Sequence, residues 1–114
     1  MPYLNIHVNR AQQPDQAKAL LAKASQTLAK ELGKPERYVM VELTENPLLL
    51  FAGTDEPAAY VELKSIGLPA GQTQSLSKVI CSLLEDEAGI PPSRVYIEFS
   101  DAKGSFWGWN GSTF

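Results

Sequence analysis

One cysteine, one histidine and no long apolar run leave most familiar site chemistries without their parts. Cys81 has no partner for an intramolecular disulfide and no second thiol for a cysteine-based metal site. His7 is the only histidine, which excludes a histidine relay and a multi-histidine metal centre within one chain, so no metal is expected. Ten basic residues against thirteen acidic ones give a formal net charge of -3, with no basic footprint for nucleic acid. No apolar run approaches a membrane span, and the amino terminus lacks the basic and apolar regions of a signal peptide. The expected location is cytoplasmic, with neither nucleic acid nor membrane as a partner. A phosphate loop, a dinucleotide fingerprint and a nucleophile elbow are also missing, and no cofactor is expected. The carboxylates are scattered, Glu85, Asp86 and Glu87 reading as a solvated helix face rather than a glycosidase pair. The nitrogen bases that remain are the chain terminus and the lysines.

What is present is an ordinary globular composition, 44% hydrophobic and 20% charged. Its 114 residues make one domain spanning residues 1–114, large enough for its own core yet small enough to gain from assembly. The sequence opens Met1-Pro2. An initiator methionine ahead of a side chain as small as proline is usually removed, which would leave Pro2 with a free secondary amine on a ring that fixes φ. An ordinary α-amino group titrates at about 7.7–8.0, and burial against apolar walls lowers that by disfavouring the ammonium form. Pro2 is thus a candidate general base, although proline at position 2 is common and alone means nothing.

Leu4, Ile6 and Val8 alternate with Tyr3, Asn5 and His7, the period of a half-buried strand starting directly after Pro2. His7 reads as an outward-facing strand residue. From Pro14, residues Ala17, Leu20, Leu21, Ala24, Leu28 and Leu32 fall on one helical face, with Gly33 and Pro35 as the stop. A second strand carries Val39, Val41 and Leu43 inward and Tyr38, Met40 and Glu42 outward. After Asn46-Pro47 and the apolar patch Leu48 to Phe51 the plan repeats. A strand from about Ala58 to Ile66 leads to a helix with Leu76, Val79, Ile80, Leu83 and Leu84 inside, which ends at Gly89. A fourth strand carries Val95, Ile97 and Phe99. Cys81, among Val79, Ile80, Leu83 and Leu84, reads as a buried structural thiol. The stop after the first helix, Gly33-Lys34-Pro35-Glu36-Arg37-Tyr38, resembles that after the second, Gly89-Ile90-Pro91-Pro92-Ser93-Arg94-Val95.

Two tandem βαβ units follow from this pattern, and each crossover makes a parallel strand pair. The expected fold is α+β, a four-stranded mixed sheet with both helices on one face, of ferredoxin-like type. Its other face lacks a cover, and Met40 and Tyr60 on it would be served by neighbouring subunits. The tail from Phe106 to Phe114 holds both tryptophans, Trp107 and Trp109, and two of the four phenylalanines. It reads either as an aromatic hairpin capping a core or interface, or as the wall of an apolar pocket. Lys34 sits beside a helix end, where a cation is favoured by the dipole.

Pro2, the turn Gly33-Lys34-Pro35, the segment Glu56 to Gly67, the strand Arg94-Val95-Tyr96-Ile97 and the ending Gly108 to Phe114 together resemble the macrophage migration inhibitory factor (MIF) family of the tautomerase superfamily, end to end. The resemblance implies a homotrimer with active sites at the subunit interfaces and a mature chain beginning at a catalytic proline, Pro2. It implies that Lys34 and the backbone amide of Ile66 hold a substrate carboxylate, with Ser65 beside them. Tyr96 of an adjoining subunit would hydrogen-bond the far end of the substrate, while Tyr38, Trp109 and Phe114 form an aromatic wall. The implied reaction is keto-enol tautomerisation of aromatic α-keto acids such as phenylpyruvate. A cytokine-like, receptor-binding trimer is the competing reading, and conjugate addition or hydration of unsaturated acids a third. Secretion without a leader is also implied by the resemblance. The chain departs from the resemblance at three places. Glu98 stands where the family's best-known member has asparagine, Trp107 stands where a smaller aliphatic residue is usual, and Ala58 and Tyr60-Val61 occupy the region where that member has a Cys-x-x-Cys pair.

Overall fold

The computed structural model describes residues 1–114 as one four-stranded mixed sheet backed by two helices. Strand β1 is Tyr3–Val8, helix α1 Pro14–Leu32, β2 Met40–Glu45, β3 Ala59–Ile66, helix α2 Thr73–Ala88 and β4 Val95–Ala102. The sheet order is β2-β1-β3-β4. β1 runs parallel to β2, β3 parallel to β4, and the two βαβ units meet along the antiparallel pair β1 and β3.

Period-two alternation does what the pleat requires. Leu4, Ile6 and Val8 of β1 and Ala59, Val61 and Leu63 of β3 point to the helices, where Leu20, Ala24 and Leu28 of α1 and Leu76, Ile80 and Leu84 of α2 meet them. Each fully buried Leu or Ile contributes about 1.5–3 kcal/mol relative to exposure. Both helices end where the sequence places their stops, because Gly33 and Gly89 adopt left-handed φ of 64° and 67° and their N–H groups bond back to the last turn.

Two expectations need correction. Tyr38 is not a strand residue: it closes a 3₁₀ turn, Glu36–Tyr38, in which its N–H donates to the Pro35 carbonyl at 3.0 Å. The chain turns once after Pro35 before extending, and the second unit does the same at Pro92–Arg94. Cys81 is only half-buried. The inward positions of α2 are 76, 80 and 84, so the residue after Ile80 is rotated onto the helix flank. There it lines a groove with Ser77, Lys78 and Ile97, and burial, partly offset by a hydrogen bond with Ser77, pushes its thiol pKa up.

The segment between β2 and β3 has little core of its own and is stapled from outside. The buried Asn9 amide donates to the carbonyls of Leu49, Asp55 and Glu56 and accepts from the Ala58 N–H at 2.9 Å. Arg94 donates to the carbonyls of Phe51, Thr54, Glu56 and Pro57, and its guanidinium lies over the Phe51 ring at 5.2 Å. Gly108–Trp109 (β5) and Ser112–Thr113 (β6) form a separate antiparallel hairpin. No helix is long and apolar enough to cross a membrane.

Candidate functional site

Pro2 lies at the open end of β1, fully buried on the helix side of the sheet, and its carbonyl accepts from the Met40 N–H at 3.0 Å. The carboxy-terminal hairpin comes to the same place. Its turn takes positive φ at Asn110 (53°) and Gly111 (76°), the conformation that matches the twist of a two-residue hairpin. Gly104 permits the close: a Cβ there would meet the Phe114 carbonyl oxygen at 2.8 Å. The result is an aromatic cluster, with Trp109 and Phe114 stacked at 5.6 Å and both presenting to Tyr38 edge-on at 5.6 and 6.0 Å. Of the two readings of the tail, a cap and a pocket wall, the geometry within one protomer is that of a wall, with Trp109 and Phe114 lining the cavity while still exposed.

This cluster encloses a cavity of about 220 Å³ lined by Met1, Pro2, Tyr38, Trp107, Trp109 and Phe114, among others. An apolar lining disfavours charge on an amine. The amine at Met1 accordingly has its pKa lowered from the ordinary value, first by desolvation and second by the positive charge of Lys34. A lowered amine pKa means a larger neutral fraction at a given pH, which is the form that accepts a proton. With Met1 attached the nitrogen of Pro2 is an amide and has no such basicity.

Lys34 follows the α1 cap, and its Nζ donates to the Ile66 carbonyl at 3.1 Å. The end of α1 is thereby tied to the end of β3, beside the amino terminus. Ser65 is buried to 1% exposure and its Oγ has no hydrogen-bond partner. The register pairs Tyr3 with Lys64, and one residue further sets Pro2 opposite Ser65. Thus Pro2, Lys34, Ser65, Ile66, Tyr38, Trp107, Trp109 and Phe114 all gather at one end of the sheet.

Tyr96 and Glu98 do not. Tyr96 pairs with Tyr60, which pairs with His7, five residues along β1 from Pro2. That is about 17 Å along the strand. Tyr96 instead packs on Phe51 at 4.8 Å, in an apolar depression of about 410 Å³ that also includes Leu49, Leu50 and Ala59. Glu98 accepts from the Tyr60 hydroxyl at 3.2 Å and the Ser100 hydroxyl at 3.3 Å on the open sheet face. Within one protomer neither reaches Pro2.

Sequence reasoning also missed part of the lining: Tyr3, Arg37, Val39 and Met40. The Tyr3 phenol donates to Glu42 at 2.5 Å, and that bond is the main reason its pKa is raised. Arg37 lies in the turn with Tyr38, its guanidinium 4.8 Å from the centre of that ring. The repeated turn after each helix was visible in the sequence, but nothing local said that residues 107–114 would fold over it.

The family model described as macrophage migration inhibitory factor matches residues 1–114. Macrophage migration inhibitory factor of Mus musculus is 41% identical over 112 residues, covering 97% of this chain and 95% of that protein. The crystal structure of a homologue from Prochlorococcus marinus superposes with a TM-score of 0.93 at 45% identity, covering 98% of each chain. A crystal structure of Pt0534 inactivated by 2-oxo-3-pentynoate superposes with a TM-score of 0.88 at 25% identity, covering 96% of this chain and 93% of that one.

Proposed function

The chain belongs to the macrophage migration inhibitory factor family, and from that membership we propose that it is a tautomerase of phenylpyruvate-type aromatic α-keto acids, with the amine of Pro2 as its general base once Met1 is removed. The observation that carries the reading is the aromatic cavity around the buried Pro2, in a setting that lowers the pKa of an amine.

The neutral Pro2 nitrogen takes a proton from the carbon next to the keto group as the electron pair moves onto the carbonyl oxygen. Returning the proton to that oxygen gives the enol and restores the free amine. Catalysis of this kind is typically worth about 10²–10⁴ in rate. Lys34 leaves the Ile66 carbonyl for the substrate carboxylate, which the Ile66 N–H also binds, with Ser65 alongside. Tyr38, Trp109 and Phe114 hold the ring, and Trp107 narrows the space for it.

Tyr96 and Glu98 enter this reading through a neighbouring subunit of a homotrimer. Their distance from Pro2 in one protomer supports that arrangement. So do the exposed apolar side chains Met40, Leu48, Leu50 and Phe106, which a partner would cover.

The test is covalent labelling of the processed chain by 2-oxo-3-pentynoate. The amine adds across the activated triple bond, its proton passing to carbon, so nothing leaves and the whole inhibitor mass is retained. Peptide mapping is expected to find that mass on Pro2 together with loss of activity. Labelling confined to Cys81 or lysine would contradict the assignment.

A further inference from the structure

The cavity at Pro2 is lined by one charged side chain, Arg37, which the proposed reaction does not use. Arg37 is exposed, and its guanidinium lies over the Tyr38 ring at 4.8 Å, a contact that favours one orientation of the planar donor fork. It has no carboxylate partner. The ion pairs of the chain are Lys23 with Glu87 and Lys64 with Glu62. The adjacent carboxylate, Glu36, is turned away and accepts from the Ser25 hydroxyl at 2.8 Å. An oriented, unpaired guanidinium on an otherwise apolar and aromatic wall is a ready site for an oxyanion.

We propose that Arg37 is a specificity-determining residue, binding a second anionic group on the ligand, so that the pocket prefers aromatic acids carrying a further carboxylate away from the one bound by Lys34. This rests on the assignment of the Pro2 cavity as the substrate site. Lys34 bonds the Ile66 carbonyl at one side of the amino terminus, while Arg37 shares a turn with Tyr38 in the cavity wall. Lys34 does not line the aromatic cavity and Arg37 does, so the two cations offer separate contacts to a ligand held there. Monoanionic aromatic acids leave Arg37 unused.

Calorimetric titration of the processed chain with cinnamate and with 4-carboxycinnamate, neither of which needs turnover, tests this directly. The dicarboxylate is expected to bind about tenfold more tightly, as a charge-assisted contact allows, and Arg37→Gln is expected to bring the ratio of the two dissociation constants close to one. Equal affinities in the parent chain, no binding of either acid, or a preference that survives in Arg37→Gln would each overturn the proposal. Phenylpyruvate turnover of the same sample, compared with Pro2→Gly, reports separately on the base. Loss of that activity difference with the binding preference intact would remove the catalytic reading and leave the role of Arg37 standing.

Discussion

At the scale of single residues, the environment of each group decides its chemistry more than its type does. The same amine that would titrate ordinarily in solvent is held toward its neutral form beside Pro2 by burial and by Lys34. Cys81 shows the reverse direction: burial disfavours its thiolate, so its alkylation by iodoacetamide at pH 8 should be slower than that of free cysteine and should climb as pH rises beyond the ordinary thiol range. A rate equal to that of a free thiol would count against the half-buried placement. Glu98 is the third case. If it faces a neighbour's cavity, its charge favours the ammonium form of the base, and Glu98→Asn should change keto-acid turnover by more than about tenfold, or about 1.4 kcal/mol in barrier. An unchanged rate and pH profile would show that the carboxylate, already hydrogen-bonded by Tyr60 and Ser100, stays out of the reaction. Cys81 and Arg37 also mark where the sequence was hard to read. Cys81 has apolar neighbours in sequence, but a helix turns consecutive residues to different faces. Arg37 has no local signal, since the cavity it lines is closed by residues 1–3 and by the tail seventy and more residues away.

Elements were more legible, and for a physical reason. A helix stop is written locally, as a glycine that must take positive φ, and both stops fell where the sequence put them. Gly33→Ala should cost about 1–2 kcal/mol by forcing a Cβ into that region, read as a lower denaturation midpoint with an unchanged slope. No loss at all would mean the cap relaxes. The 3₁₀ turn before β2 was less visible, because Val39 keeps the alternation going on paper while Pro35 delays the strand by a turn, whereas β4 starts at Val95 as its alternation implies. The segment between β2 and β3 depends on tertiary donors that no local pattern announces. Asn9→Ala leaves three carbonyls and one N–H without their partner and should cost about 2–3 kcal/mol. Chemical denaturation measures the loss, and protease cleavage between residues 46 and 58 should increase with it. A stable, uncleaved variant would show that Arg94 alone holds the segment.

At the scale of the molecule, the period of the apolar residues gave two βαβ units and a helix layer on one side of the sheet. It also left the opposite sheet face open. The candidate site residues are divided accordingly: one protomer gathers Pro2, Lys34, Ser65, Ile66 and the aromatic cluster, while Tyr96 lies at the far end of the sheet. A proposed homotrimer reunites the halves, so dilution or interface substitutions such as Leu50→Glu should lower activity in step with dissociation, measured by analytical ultracentrifugation. Full activity in a monomer would mean that Tyr96 takes no part. The proposed reaction nevertheless depends on one amine. The direct measurement is the decay of phenylpyruvate enol absorbance with three proteins whose amino termini have been established by intact mass: the processed chain, the chain retaining Met1, and Pro2→Gly. Catalysis is expected from the processed chain, with a loss of about 10²-fold or more in the other two; equal rates in all three would contradict a role for the Pro2 amine.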